Sequence, residues 1–276
     1  MIIGSKERMI SLDNPIVMGI LNVTPDSFYD GGRYLQEDTI LDQVDTMVNS
    51  GVSIIDIGGM SSRPGATIIS AQEEIDRVAP VIHMVRKKYP ELLLSIDTLR
   101  SSVAQYACEE GCDMINDISG GTYDDKIISI AADRDITYVC MHMQGLPHNM
   151  QDNPQYSEVV KDILDSFAVR LRKLKNDGLK SVIIDPGFGF GKSVQDNYKL
   201  LSHLHVFKIL DVPIMVGLSR KSMLYKPLEI GPQEALNATT AAHILALMEG
   251  ASILRVHDVA EAVEAVKVFR LYKGDG

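Results

Sequence analysis

Polar residues able to do chemistry recur in this chain at one kind of place, the ends of short apolar runs. Asn22 follows the run 16–21, Asp56 lies in the run 53–57, Asp97 follows 92–96, and Asn116 and Asp117 close the run that starts at 114. His142 follows 137–141 and Asp185 follows 182–184; Arg220 and Lys221 stand just past 214–216, and Arg255 and His257 bracket the end of 253–256. Asp97, Asn116 and Asp185 are acceptors suited to a flat ligand rich in N–H donors, since a carboxylate takes two parallel hydrogen bonds from such an edge. Arg63, Lys221, Arg255 and His257 are cations or donors suited to phosphate oxygens, and Asn22 is a candidate oxygen ligand for Mg²⁺. A heterocycle carrying a phosphate or pyrophosphate satisfies both groups. Any single Asp or Asn after a strand also has a plain structural use, opening a turn or capping the next helix. Their accumulation, several of them in Gly-rich loops, is what favours a site.

The elements that must position these residues follow from the spacing of apolar positions. Eight strand-length runs, at 16–21, 53–57, 92–96, 114–116, 137–141, 182–184, 214–216 and 253–256, alternate with stretches of helical period at 39–49, 71–88, 101–110, 126–133, 154–176, 194–204, 233–249 and 259–272. The last helix is the clearest: Val259, Val263, Val266 and Phe269 share one face, and Asp258 is placed to cap it with Glu261 three residues on. Eight strands each followed by a helix predict a single (β/α)8 TIM barrel across residues 1–276, with the site at the C-terminal ends of the strands. An open doubly wound sheet is the alternative; no strand is followed by a dinucleotide fingerprint, and no linker marks a second domain.

Composition narrows the class. The 276 residues are 45% hydrophobic and 23% charged, as in a folded protein with a sizeable core. Lys plus Arg is 27 and Asp plus Glu is 37, a net charge of −10, which disfavours coating nucleic acid or an anionic membrane. Three cysteines, Cys108, Cys112 and Cys140, are too few for a disulfide framework. The N-terminus scatters charges where a signal peptide needs an apolar core, so the expected location is the cytoplasm. Two motifs invite other readings. Gly187-Phe-Gly-Phe-Gly191-Lys192-Ser193 resembles a phosphate loop, but position 186 is Pro where that motif needs Gly, and Asp185 would repel a phosphate there. Cys108 and Cys112 are one helical turn apart with no partner pair evident, which reads as buried thiols rather than a metal site.

Seven blocks taken in order carry a family resemblance. They are Met18-Gly-Ile-Leu-Asn-Val-Thr-Pro-Asp-Ser-Phe28, Asp56-Ile-Gly-Gly-Met-Ser-Ser-Arg-Pro-Gly65, Ser95-Ile-Asp-Thr98, Ile115-Asn-Asp-Ile-Ser-Gly-Gly121, Asp185-Pro-Gly-Phe-Gly-Phe-Gly-Lys192, Gly217-Leu-Ser-Arg-Lys-Ser222 and Arg255-Val-His-Asp258. The sequence resembles the dihydropteroate synthase family over essentially its whole length. The resemblance implies a TIM-type barrel, usually a homodimer, that joins 6-hydroxymethyl-7,8-dihydropterin pyrophosphate to p-aminobenzoate and releases pyrophosphate, with sulfonamides as competitive ligands. It implies pterin contacts from Asp97, Asn116, Asp185 and Lys221, a Mg²⁺ ligand in Asn22, and pyrophosphate contacts from Asn22, Ser62, Arg255 and His257. The loop with Asp26, Phe28 and Asp30 and the loop with Ser62, Arg63 and Pro64 would close over the pyrophosphate and form the p-aminobenzoate pocket with Lys221 and Ser222. Asp97, Arg63, Lys221, Arg255 and His257 are the residues expected to carry the chemistry. Two departures stand out: Met60 where the family usually has Glu, and Ser62 where it usually has Thr. Ser62 keeps the hydroxyl but not the methyl, so the change bears on the pocket's shape.

Two other readings share the barrel. A pterin-binding methyltransferase has no reason to keep the Ser-Arg-Pro-Gly loop or the Arg255-x-His257 pair. A non-catalytic relative typically loses leaving-group contacts, which are present here.

Overall fold

The computed structural model describes residues 1–23, 33–60, 69–145 and 155–274. Two short strands, β1 (Ile2–Gly4) and β2 (Met9–Ser11), precede eight that form one parallel sheet. These are β3 (Ile16–Asn22), β4 (Ile54–Gly58), β5 (Leu93–Asp97), β6 (Met114–Asp117), β7 (Thr137–Met141), β8 (Val182–Asp185), β9 (Met215–Val216) and β10 (Ile253–Val256). Their order is β8-β7-β6-β5-β4-β3-β10-β9. The edges meet where Ile184 N–H donates to Pro213 O at 3.0 Å and Ile184 bridges Ile214, closing the sheet into a barrel. Buried on both faces, these strands read as near-continuous Ile, Val and Leu.

Strand alternation sorts side chains into two packed layers. Ile16, Met18, Ile54, Leu93, Met114, Val139, Ile183, Met215 and Ile253 fill the interior, while Ile55, Ile57, Leu94, Ile96, Ile115, Ile184, Leu254 and Val256 face the helices. The helices are α1 (Arg33–Ser50), α2 (Ala71–Lys88), α3 (Ser101–Glu109), α4 (Lys126–Arg134), α5 (Val159–Asn176), α6 (Val194–Ser202), α7 (Ser222–Tyr225), α8 (Leu236–Met248) and α9 (Val259–Lys273). Ser70 caps α2 by accepting from Glu73 N, and Ser193 with Asp196 makes a capping box for α6.

The structure differs from the expected pattern in places. Helix α1 begins six residues before 39, and α5 starts at Val159, not at 154. The stretch 233–249 is split into a 3-10 turn at Pro232–Glu234 and α8. Asp258 occupies the cap position of α9 but makes no capping bond, because both its oxygens accept from Arg220, Nε at 3.0 Å and Nη2 at 2.9 Å. The antiparallel β1–β2 hairpin is an addition that alternation alone did not reveal. It seals the bottom of the barrel: Ile3 packs into the inner layer, and Gly4 N–H donates to Thr137 Oγ1 at 2.7 Å. Asp113 ties it down by accepting from Ser5 Oγ at 2.7 Å, Arg8 Nε at 2.9 Å and Arg86 Nη2 at 2.8 Å.

Candidate active site

Alternation decides which strand-end residues face the mouth. Ile16 and Met18, Ile54, Leu93, Met114, Ile183 and Ile253 point inward, so Asn22, Asp56, Asp97, Asn116, Asp185 and Arg255, an even number of residues later in their strands, share that side. The same parity sends Asp117 outward, where Ser119 N (2.8 Å), Ser119 Oγ (2.7 Å), Gly121 N (2.8 Å) and Tyr138 OH (2.7 Å) saturate its oxygens; it builds a turn.

Arg255 lies across the acids at the centre of the mouth. Its Nε donates to Asp56 Oδ2 at 2.7 Å and its Nη2 to Asp97 Oδ2 at 2.6 Å. Asn116 Nδ2 donates to the same Asp56 Oδ2 at 2.9 Å, while Asp56 Oδ1 is buried without a partner among the described residues. Asn22 Oδ1 and Asp97 Oδ2 both border Gly58: a methyl built on that glycine would lie 3.7 and 3.8 Å from them, so its absence keeps the space between them open. Asp185 accepts from Gly187 N at 2.7 Å. That short turn requires glycine, since Gly187 has φ +71° and a Cβ there would sit 2.1 Å from His142 O. Lys221 enters from the start of α7 and lays its Nζ 4.1 Å from the centroid of the Phe190 ring.

Burial and mutual charge shape the acidities. Burial pushes the Asp97 carboxyl up to about 7, against the lowering pull of Arg255 and with a further push from Asp56. Burial raises Asp185 above the usual carboxylate range although Gly187 N–H and Lys221 oppose it. Burial, helped by the Arg255 charge, draws the Lys221 ammonium down to about 8. Burial alone would lower Arg255, but Asp56 and Asp97 hold it above the ordinary arginine value. The mouth is thus a compensated set of charges whose protonation is set near neutrality, as at sites of chemistry.

Of the residues singled out from sequence, Asp97, Asn116, Asp185, Lys221 and Arg255 converge here. Asn22 borders them, Ser222 opens α7 beside Lys221, and His257 lies past β10 with its N–H on Ser219 Oγ at 3.3 Å. Asp26, Phe28, Asp30, Ser62, Arg63 and Pro64 lie outside the described residues. Arg220 turns away from the mouth in a left-handed conformation, φ +53°, and binds Asp258, Pro232 O and Gln233 O. Three participants escaped sequence reasoning: Asp56 was noted as a strand-end acid but given no role, and Phe190 and Lys192 were passed over within the glycine-rich loop. The inward parity of Asp56 was the available signal; no comparable signal marks Phe190. The Lys192 ammonium faces carbonyl oxygens and not an open phosphate cradle, so the phosphate-loop reading fails on geometry. The thiols of Cys108, Cys112 and Cys140 are free and buried, and burial raises all three.

Among the described residues no group of three or more His, Cys, Asp or Glu side chains is arranged to hold a metal. A Mg²⁺ ion keeps several waters and takes phosphate oxygens, so one amide oxygen beside a carboxylate, as at Asn22 and Asp97, suits an ion arriving with the phosphates of a substrate. Among the described residues no helix is long and apolar enough to cross a membrane.

Residues 18–257 match the family described as pterin binding enzyme. The chain is 40% identical to the dihydropteroate synthase of Escherichia coli strain K12, over 94% of this chain and 92% of that one. Among solved structures it resembles a Yersinia pestis dihydropteroate synthase in a sulfonamide drug complex, with a TM-score of 0.92, 39% identity and coverage of 99% and 100% of the two chains. A Xanthomonas albilineans dihydropteroate synthase in complex with 7,8-dihydropteroate gives a TM-score of 0.89 at 35% identity, with 99% of each chain covered.

Proposed function

The chain belongs to the dihydropteroate synthase family of pterin-binding enzymes, and on that premise we propose how its own residues run the reaction. It transfers the dihydropterinylmethyl group from 6-hydroxymethyl-7,8-dihydropterin pyrophosphate to p-aminobenzoate, giving 7,8-dihydropteroate and pyrophosphate for folate synthesis. The observation that carries this reading is the convergence of Asp97, Asn116, Asp185 and Lys221 on one mouth crossed by Arg255. Acceptors on one side match the N–H edge of a pterin; cations on the other match a pyrophosphate.

The reacting carbon is a CH₂ on an electron-rich reduced pterin, so departure of pyrophosphate leaves a resonance-stabilised cation. Stabilising the leaving group then governs the rate. Arg255 and His257, with Ser62 and Arg63, neutralise charge as it builds on the departing oxygens, a role in which fixed donors contribute a few kcal/mol each. A Mg²⁺ ion held by Asn22 and the phosphates supplies additional charge neutralisation when bound. Asp97, ionised beneath the ring, favours the cation. The aniline nitrogen is already nucleophilic and needs only to be held in line, in a pocket formed by Phe28, Ser62, Arg63, Pro64, Lys221 and Ser222 with water excluded. Sulfonamides, which share the shape of p-aminobenzoate, compete for that pocket.

The three free, buried thiols suit the reducing cytoplasm, and the net charge of −10 disfavours nucleic-acid and anionic-membrane partners. Exposed Leu245 and Met248 on α8 and Val268, Leu271 and Tyr272 on α9 offer apolar surface for a homodimer. The direct test of the activity is release of pyrophosphate and formation of dihydropteroate from the two substrates. Absence of product with purified protein and Mg²⁺, while pterin still binds, overturns the synthase reading in favour of a non-catalytic pterin binder.

A further inference from the structure

Lys192 is the one lysine whose ammonium is enclosed by its own loop. The residue is 4% exposed, and its Nζ lies 2.9 Å from Gly187 O, 3.0 Å from Phe190 O, 3.3 Å from His142 O and 3.3 Å from His142 Nδ1. Burial draws the Lys192 ammonium down to about 7; in its charged form it has only protons to give, so Nδ1 is then the acceptor and the imidazole carries its proton on Nε2. Burial, with the Lys192 charge beside it, draws the imidazole down to about 3, which keeps it in that neutral form. The loop also makes one backbone bond of its own, Phe190 N–H to Gly187 O at 3.1 Å, and two contacts outward: Gly189 N donates to Asn197 Oδ1 at 2.8 Å, and Tyr156 OH donates to Gly191 O at 2.9 Å.

Two of the three carbonyls that Lys192 grips, those of Gly187 and Phe190, belong to residues that touch site groups. Gly187 is the residue whose N–H fixes Asp185 Oδ1 at 2.7 Å, and Phe190 is the ring against which Lys221 Nζ rests at 4.1 Å. Three glycines in this loop, Gly187, Gly189 and Gly191, have positive φ, so the backbone has little intrinsic preference for the shape it holds. At Gly189 a Cβ would come within 3.2 Å of Lys221 Cδ, showing how closely loop and lysine pack. One backbone bond is a thin tie for such a loop, and the Lys192 amine adds to it by gripping the carbonyls of both residues that the bond joins.

We propose that Lys192 is a positioning residue: it holds Gly187 and Phe190 by their carbonyls and so sets Asp185 and Lys221 for the pterin ring. This rests on the pterin-site reading above and adds to it a residue that touches no substrate. Loss of the tie frees Phe190 to leave Lys221, which then regains water and titrates closer to an ordinary lysine. The groups facing Lys221 from the surrounding strands are Arg255, Asp185 and Asp97, and none of them is substituted in the variants below.

Two measurements on the purified full chain test this. Hydrogen exchange read by mass spectrometry is expected to speed up at least tenfold in peptides spanning 186–191 for Lys192→Met, with the barrel strands unchanged. Binding of 6-hydroxymethylpterin by calorimetry is expected to weaken at least tenfold in Lys192→Met and several-fold in Phe190→Leu. The double variant is expected to lie within twofold of Lys192→Met, because the lysine acts through the ring. Lys192→Arg, which keeps charge and donors, is expected to restore much of the affinity. Should Lys192→Met fail to fold, Lys192→Gln keeps a donor on a shorter stem and is read the same way. Unchanged exchange in 186–191 overturns the proposal. Faster exchange with unaltered pterin affinity overturns it too, as do strictly additive effects of the Lys192 and Phe190 changes. A parent protein that binds no pterin sinks the site reading itself, a different result from any of these.

Discussion

Arg255 and Asp97 are joined at 2.6 Å, Nη2 to Oδ2, and the same guanidinium reaches Asp56 through Nε at 2.7 Å. The cation expected to meet pyrophosphate is therefore docked on the acids that would carry the pterin side of the site. The two bonds use Nε and Nη2, so the acids fix one edge of the guanidinium fork. Holding the arginine in place before substrate arrives is a form of preorganisation, because the donor need not be recruited from solvent as charge develops.

Removing that guanidinium leaves Asp56, which is fully buried, without its cation. Arg255→Met is expected to lose about 3–5 kcal/mol of stability, the usual cost of breaking a buried pair by deleting one partner. Urea denaturation checks this. The same variant should release pyrophosphate more slowly from the pterin substrate even without p-aminobenzoate; an unchanged rate would place the leaving-group contact elsewhere.

The pH profile follows from two shifts of opposite kind. Asp97 must ionise, with its carboxyl near 7, and Lys221 must keep its proton, with its ammonium near 8. The kcat/KM for the pterin substrate is expected to be bell-shaped with its maximum between those values, the acid limb vanishing in Asp97→Asn. Stability carries the matching sign. A carboxyl raised on folding holds its proton more tightly in the native state, so its contribution is present below about pH 4 and is lost as pH rises through about 7. The stability of the parent minus that of Asp97→Asn should accordingly fall between about pH 4 and about pH 7.

Why the barrel could be read from the sequence while parts of its site could not has a physical basis. Strands buried on both faces, such as Ile54–Gly58 and Leu93–Asp97, are mostly apolar, so Asp56 within the first and Asp97 at the end of the second stand out. Alternation then sorts inward Asn116 from outward Asp117. Pairings are another matter: Arg255 and Asp56 are far apart in the chain, and nothing local in either segment announces the contact. Pro186 and Asp185 already disfavour a phosphate loop around Lys192, but nothing in the sequence says where its amine goes instead: the loop, with three glycines at positive φ, folds it back onto the carbonyls of Gly187 and Phe190. The β1–β2 hairpin was silent because three-residue strands are too short to show alternation, and its apolar residue is explained only by the open barrel end that it covers.

That barrel end supplies a prediction about stability alone. Asp113 is buried, accepts from Arg8 and Arg86 and also from Leu94 N at 3.1 Å, and lies at the opposite end of the strands from the site. Asp113→Ala strands two guanidinium groups together and is expected to cost about 3–5 kcal/mol. The kcat of the protein that remains folded should match the parent at 20 °C, a dissociation that differential scanning calorimetry and steady-state kinetics read together.

Met60 marks the place where this chain departs from the Glu usual in the family it resembles, and its surroundings say what the reversal would do. The side chain packs against the buried cluster of Leu99, Ile118 and Met141, and its Sδ is 3.9 Å from Arg100 Nη1. Arg100 is already committed, to Glu74 through Nη1 and to Ile69 O through Nη2 at 2.6 Å. A carboxylate at position 60 would lose apolar packing but meet that guanidinium, which has donors to share. A lysine there would lose the same packing and face a like charge in a partly buried setting. Met60→Glu is therefore expected to stay within about 1 kcal/mol of the parent, and Met60→Lys to lose about 2 kcal/mol or more, by urea denaturation at pH 7.5. Equal losses in the two variants would mean that packing against Leu99, Ile118 and Met141, not the Arg100 charge, decides what position 60 accepts. Raising salt discriminates further: screening should narrow the gap between the variants if charge sets it, and leave the gap untouched if shape does.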